Sequence, residues 1–137
     1  MSADVTITRK ERDCVIAIGK NSNGPFPVRL VDLSKNMGIK TPTALNLVKR
    51  LEEKGLVLDD KGMIILTSAG ESKFTEIQEI HRIIETLMVK YGVDISRACA
   101  ISQHIDFLMD HGSVDTIFEK LGKPSICPHG QTIEQSH

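Results

Sequence analysis

The sequence predicts a mainly α fold: an N-terminal winged helix-turn-helix over residues 1–70, then a helical domain over residues 71–137. Three observations carry this. Two short helical periods flank a glycine in VRLVDLSKNMGIKTPTALNLVKRLEEKGLV, the pattern of a helix-turn-helix. A strand–turn–strand pattern, LVLDDKGMIILT, follows at once and supplies a wing. Then Phe74, Ile77, Ile80, Ile84, Leu87, Met88 and Tyr91 keep a 3–4 spacing. That marks one helix from about Ser68 to Tyr91, roughly 36 Å long at 1.5 Å per residue. A helix so long in a small chain bridges domains or carries a dimer interface.

The elements follow in order. Residues 8–20 form a helix with an apolar stripe at Cys14, Val15 and Ile18. Asn21 to Pro27 is a loop by composition. Leu30, Leu33 and Met37 line the next helix, which Gly38 ends. Thr41 is the expected N-cap of the recognition helix, with Pro42 in its first turn. Ala44, Leu47, Val48 and Leu51 line that helix, and Gly55 stops it. Asp60 to Gly62 form the hairpin tip. Past the long helix, Asp94 caps a helix ending near Gly112, and Ser113 caps a short one over SVDTIFEKLG. The tail KPSICPHGQTIEQSH is turn-rich and read as irregular. No internal repeat is visible.

The bulk properties fit this plan. A chain of 137 residues suits one domain or two small ones, and 40% hydrophobic content supports a packed core. That core is aliphatic, since Trp is absent and aromatics are few. No apolar run is long enough to span a membrane, and no basic-then-apolar signal segment opens the chain. Cys14, Cys99 and Cys127 are odd in number and widely spaced, which points to a reducing cytoplasm rather than a disulfide scaffold. Residues 1–70 carry eleven Lys/Arg and eight Asp/Glu, whereas residues 71–137 carry six and ten. A basic first half beside an acidic second half fits a nucleic-acid reader joined to another module.

Each half has candidate chemistry. In the recognition helix Lys40, Thr41, Pro42, Thr43 and Asn46 would face DNA. Thr methyls suit thymine, and Asn suits adenine. Lys49 and Arg50 would lie near phosphates; the alternative is ordinary surface charges beside Glu52 and Glu53. In the second half His81 and Glu85, four apart, share a helix face. That spacing suits one metal ion or a surface ion pair. The stretch RACAISQHID holds Cys99, Gln103, His104 and Asp106. On a straight helix Cys99, Gln103, Asp106 and Asp110 form one stripe, and His104 lies about 140° from Cys99 around the axis. Cys99 and Asp106 are then about 10 Å apart along the axis, too far to share an ion. A metal reading therefore needs two sites: Cys99 with His81 and Glu85, and Gln103 with Asp106.

The motifs TPTALNLVKRLEEKGLV, LTSAG, HRIIE, GVD, SVDTI and CPHG, in this order and spacing, resemble the metal-dependent transcriptional repressors of the diphtheria-toxin-repressor and manganese-transport-regulator family. The resemblance covers roughly residues 8–130 and is to the short form without an SH3-like domain. It implies a helical second domain that binds metal and dimerises. It also implies a homodimer that binds palindromic double-stranded DNA when loaded with Fe²⁺ or Mn²⁺, repressing metal-homeostasis genes. Carried over without gaps, Asp13 falls on a first-helix ligand position. His81, Glu85 and Cys99 fall on one site, with Cys99 in place of a histidine. Gln103 and Asp106 fall on the other site, with Asp13. Phe107 stands where the family has a histidine ligand, and only a helix bulge would bring His104 near that place. Cys127 and His129 form a Cys-x-His pair that either completes a site or is a structural tail motif. Cys and His ligands also tolerate Zn²⁺.

The switch so implied is metal tying the first helix to the second domain, which sets the spacing of two recognition helices. Two other functions compete. One is a winged-helix regulator with a degenerate or altered site, for example for Zn²⁺, suggested by Gln103 and Phe107. The other is a small metalloenzyme using the Cys/His-rich tail. The sequence offers no nucleophile–base pair for it, so no enzyme is expected.

Overall fold

The structure, a computed structural model, describes residues 5–21 and 26–133. The chain divides into two compact units, Met1–Thr75 and Glu76–His137.

In the first unit, α1 (Arg9–Asn21), α2 (Leu30–Met37) and α3 (Thr41–Glu53) pack on one another, and α1 and α3 cover a small sheet. The apolar spacing explains which faces meet: Cys14, Val15 and Ile18 of α1, Leu33 of α2, and Ala44, Leu47, Val48 and Leu51 of α3 are all buried. Gly38 ends α2 at φ 68°, and its N–H reaches the carbonyl of Lys35. Two details depart from the sequence reading. Thr41 is not the N-cap of α3. Lys40 takes that place without a side-chain bond, and the Thr41 hydroxyl lies 3.2 Å from Ser34 Oγ. The start of α1 holds a capping box: Glu11 N–H donates to Thr8 Oγ1 and Thr8 N–H donates to Glu11 Oε1. Glu11 is 1% exposed, and Lys54 Nζ meets it at 2.7 Å, tying α1 to the end of α3.

The wing is a hairpin of β2 (Val57–Asp60) and β3 (Met63–Leu66) in antiparallel register, with Val57 opposite Leu66. Its tip places Lys61 and Gly62 at positive φ, the backbone a two-residue hairpin turn requires. A third strand, β1 (Val28–Arg29), pairs with β3 and gives the sheet order β1-β3-β2. Two residues are too few to show an alternation, so this strand carries no periodicity of its own. Residues 22–25 of the expected Asn21–Pro27 loop lie outside the described residues, as do the last four of the tail.

α4 (Ser68–Lys90) contributes its first two turns to the first unit and the rest to the second. Ile77, Ile80 and Ile84 of the expected stripe are buried, joined by Ile83. Tyr91, at the far end of that stripe, is exposed because the helix has already ended. In the second unit Ile80, Ile83 and Ile84 form a core with Val114, Cys127 and Ile133. Asp94 caps α5 (Ile95–Ile105) by accepting from Ser96 and Arg97 N–H. α5 stops seven residues short of Gly112. The chain tightens into a 3₁₀ turn over Asp106–Leu108 and then starts α6 (His111–Lys120). Asp110, not Ser113, caps α6: it accepts from both Ser113 N–H and Ser113 Oγ. Those bonds hold its carboxyl below the usual carboxylate range. The tail is ordered where described. Ile126 bridges Thr132, and Cys127 and Ile133 are buried in the core.

Candidate metal centre

α4 carries His81 and Glu85 one turn apart, on the face that α5 and the tail approach. His81 Nε2 lies 3.3 Å from Glu85 Oε2 and 3.6 Å from Cys99 Sγ. The other ring nitrogen, Nδ1, lies 3.1 Å from Asp106 Oδ2. From the tail, His129 Nδ1 lies 2.7 Å from Glu85 Oε1. Two sets of donor atoms therefore converge within 4.8 Å: His81, Glu85 and Cys99, and Glu85, Cys127 and His129. Glu85 is common to both.

Glu85 is the unusual group. Its side chain is 1% exposed, and Oε2, 3.3 Å from His81 Nε2, is buried with no hydrogen bond among the described residues. A buried carboxylate with an unsatisfied oxygen is costly unless a cation meets it. Imidazole, thiol and carboxylate donors at this spacing suit a divalent transition metal. The residues present therefore fit such an ion.

The surroundings hold these donors in place. Gln131 N–H donates to Cys127 Sγ at 3.4 Å and so holds the sulfur in place. Arg82, beside His81 on α4, donates to Thr132 O and Gln131 Oε1 and so straps the tail to the helix. Sequence reasoning assigned Arg82 no role, although it stands in the HRIIE motif. Gln103 donates to Cys99 Sγ at 3.8 Å, a weak bond that orients the thiol.

The expected second set is rearranged. Gln103 meets Cys99, and Asp106 meets His81. The reason is the end of α5 at Ile105. The stripe drawn on a straight helix stops there, and Asp106 turns into the 3₁₀ segment fully buried. Asp13 belongs to the first unit, where Arg9 Nε and Arg12 Nη1 hold it at 3.2 and 3.0 Å. Phe107 is half-buried in the 3₁₀ turn, and His104 is exposed on α5 and joins neither convergent group. Cys14 offers no ligand in this form: burial, with Glu11 and Asp13 nearby, pushes its thiol up to about 12.

On the first unit, Lys40, Pro42, Thr43, Asn46, Lys49 and Arg50 are all exposed along α3. Thr41 is half-buried against Ser34. The exposed residues leave the first turns of α3 polar and open, as base-edge and phosphate contacts require.

Residues 67–135 match the family described as "Iron dependent repressor, metal binding and dimerisation domain". The transcriptional regulator MntR of Escherichia coli O6:H1 is 34% identical over 67 residues, which cover 47% of this chain and 43% of that protein. The chain spans less than half the length of the curated relatives it matches. A hypothetical protein of Sulfolobus solfataricus superposes with a TM-score of 0.82 at 30% identity, covering 94% of this chain and 100% of that one. A manganese-dependent transcriptional repressor, solved with manganese, superposes with a TM-score of 0.77 at 25% identity, over 92% of this chain and 59% of that one.

Proposed function

This chain belongs to the iron-dependent repressor family, and from that premise we propose that it is a metal-dependent DNA-binding transcriptional repressor. It acts as a homodimer on a palindromic operator, and Fe²⁺ or Mn²⁺ is its co-repressor. The observation that carries the reading is Glu85: a buried carboxylate with an orphan oxygen, flanked on each side by an imidazole and a thiol. The MntR relatives are transcriptional regulators, and the exposed polar face of α3 supplies a DNA-reading surface in the same chain.

His81, Glu85 and Cys99 would hold one ion, and Cys127 and His129 would complete the coordination through Glu85 or hold a second. When bound, the metal supplies the positive charge that Glu85 lacks. Glu85 then links three segments, since its partners come from α4, α5 and the tail. Arg82 keeps the tail in reach of α4, and Gln131 N–H holds the Cys127 sulfur in place. Two thiols among the donors favour Fe²⁺ over Mn²⁺ and admit Zn²⁺ as a competitor. α3 presents Asn46 and Thr43 to base edges and Lys49 and Arg50 to phosphates, and a two-fold dimer would read two half-sites about one helical turn apart.

The test is selection from a random duplex pool with Fe²⁺- or Mn²⁺-loaded protein, followed by binding assays on the enriched sequence with and without chelator. A palindrome bound at least about tenfold more tightly with metal is the expected result, an energy difference of about 1.4 kcal/mol. Equal affinity with metal and with chelator would remove the metal from the function.

A further inference from the structure

We propose that Asp106 is a positioning residue for the metal centre: it stands behind His81 and fixes the ring so that Nε2 is the ligand nitrogen. This rests on His81, Glu85 and Cys99 being a metal centre. The end of α5 sets the position of Asp106. Ile105 leaves the helix at φ −129°, and Asp106 begins the 3₁₀ turn with its N–H still on Ser102 O. That break brings Asp106 Oδ2 to 3.1 Å from His81 Nδ1 in a position with no solvent exposure. Cys99, one helical segment earlier, reaches the opposite edge of the same ring at Nε2. Asp106 and Cys99 thus share the imidazole from its two sides. Asp106 belongs to neither group of convergent donor atoms.

An ionised carboxylate only accepts hydrogen bonds, so the Asp106 contact places the proton of neutral His81 on Nδ1. Nε2 is left with its lone pair, aimed at Glu85 Oε2 and Cys99 Sγ. Without the carboxylate the proton can sit on Nε2 and donate to the orphan Glu85 oxygen. That tautomer satisfies Glu85 and occupies the nitrogen a cation needs. A carboxylate behind a ligand histidine also raises the ligand's basicity, and losing such a partner typically weakens metal binding about 10–100-fold.

The experiment uses the full chain, with Zn²⁺ as the probe, in wild type, Asp106→Ala and Asp106→Asn. Histidine ring nitrogens are read by long-range ¹H–¹⁵N correlation, and Zn²⁺ affinity by competition with a chelating dye. In metal-free wild type, His81 carries its proton on Nδ1, and Zn²⁺ shifts Nε2 while Nδ1–H persists. Asp106→Ala moves the proton to Nε2 and lowers affinity about 10–100-fold. Asp106→Asn is isosteric and guards against misfolding of the Ala variant; its amide can accept from Nδ1–H or donate to Nδ1, so affinity stays near wild type where Nδ1–H is retained and falls as in Asp106→Ala where the proton moves to Nε2. Zn²⁺ on Nδ1 in wild type overturns the proposal. So does wild-type affinity in Asp106→Ala, or a loss in Asp106→Asn as deep as in Asp106→Ala with Nδ1–H intact, which would make Asp106 itself a ligand. Wild type that binds Zn²⁺ without changing its DNA affinity would instead refute the repressor reading and leave Asp106's role standing.

Discussion

Replacing Glu85 by Gln removes the charge common to both donor groups and keeps the shape of the side chain. In metal-free protein the change is mild, because it also removes a buried charge whose Oε2 has no hydrogen bond among the described residues. In loaded protein it is severe. Losing a partner one shell out from a metal already costs about 10–100-fold in affinity, so loss of a charged ligand is set at about 100-fold or more. With metal at 100 times the wild-type Kd, binding stabilises the native state by about 2.7 kcal/mol; a 100-fold weaker site leaves about 0.4 kcal/mol. At about 3 °C per kcal/mol, the metal-induced rise in Tm falls from about 8 °C to about 1 °C. Thermal melts of both proteins with Zn²⁺ and with chelator read this directly. Glu85→Gln that keeps the full metal-induced rise refutes the centre, whatever its metal-free Tm.

The other expectations are separate from this one. Cys99→Asp exchanges a thiol for oxygen, so the ratio of Zn²⁺ to Mn²⁺ affinity should fall by at least about tenfold in competition titrations. Lys54→Met strands the buried Glu11 carboxylate; breaking a buried pair costs about 3–5 kcal/mol, reduced here to about 2–3 because Lys54 is one-third exposed, and denaturant unfolding measures it. Burial pushes the Glu11 carboxyl up, but the Lys54 and Thr8 bonds outweigh it and leave it below 4.5. That stability is therefore present above pH 4.5 and lost as pH falls through the lower folded value; Lys54→Met removes the contacts that lower it, so this acid-dependent loss shrinks. Gly70→Ala drives a Cβ into the Leu56 carbonyl oxygen and should cost about 1–3 kcal/mol in the same assay.

Much of the first unit was legible because its signals are local. The α3 stripe, the Gly38 terminus and the Asp-Lys-Gly hairpin tip each rest on a few neighbouring residues. What escaped depended on partners distant in sequence. Thr8 and Glu11 have capping-box spacing, but the third member, Lys54, lies 43 residues from Glu11. β1 exists only because β3 offers a free edge. At the start of α6, Asp110 and Ser113 are both good caps, three residues apart. The choice between them follows from where α5 ends, and nothing in Ala100–His111 breaks a helix on propensity alone.

That missing break decided how the candidate centre was drawn. Helix geometry rightly said that Cys99 and Asp106 cannot meet one ion from one straight helix. It then grouped Asp106 with Gln103, because it extended the helix to Gly112. Once α5 ends at Ile105, Asp106 folds under His81, and Gln103 is left facing Cys99. The tail is irregular where described, as its turn-rich composition predicts, yet Cys127 and Ile133 complete an aliphatic core and Arg82 fastens the backbone of Thr132. These tertiary contacts bring His129 to Glu85. A core that could have been closed with another aliphatic side chain instead holds a carboxylate, and burying that charge opposes folding unless something positive meets it. Its two oxygens face His129 on one side and His81 with Cys99 on the other, so the cost falls where a cation would remove it. The stability of the second unit should therefore respond to metal far more than that of the first, where the buried Glu11 carboxylate already has Lys54.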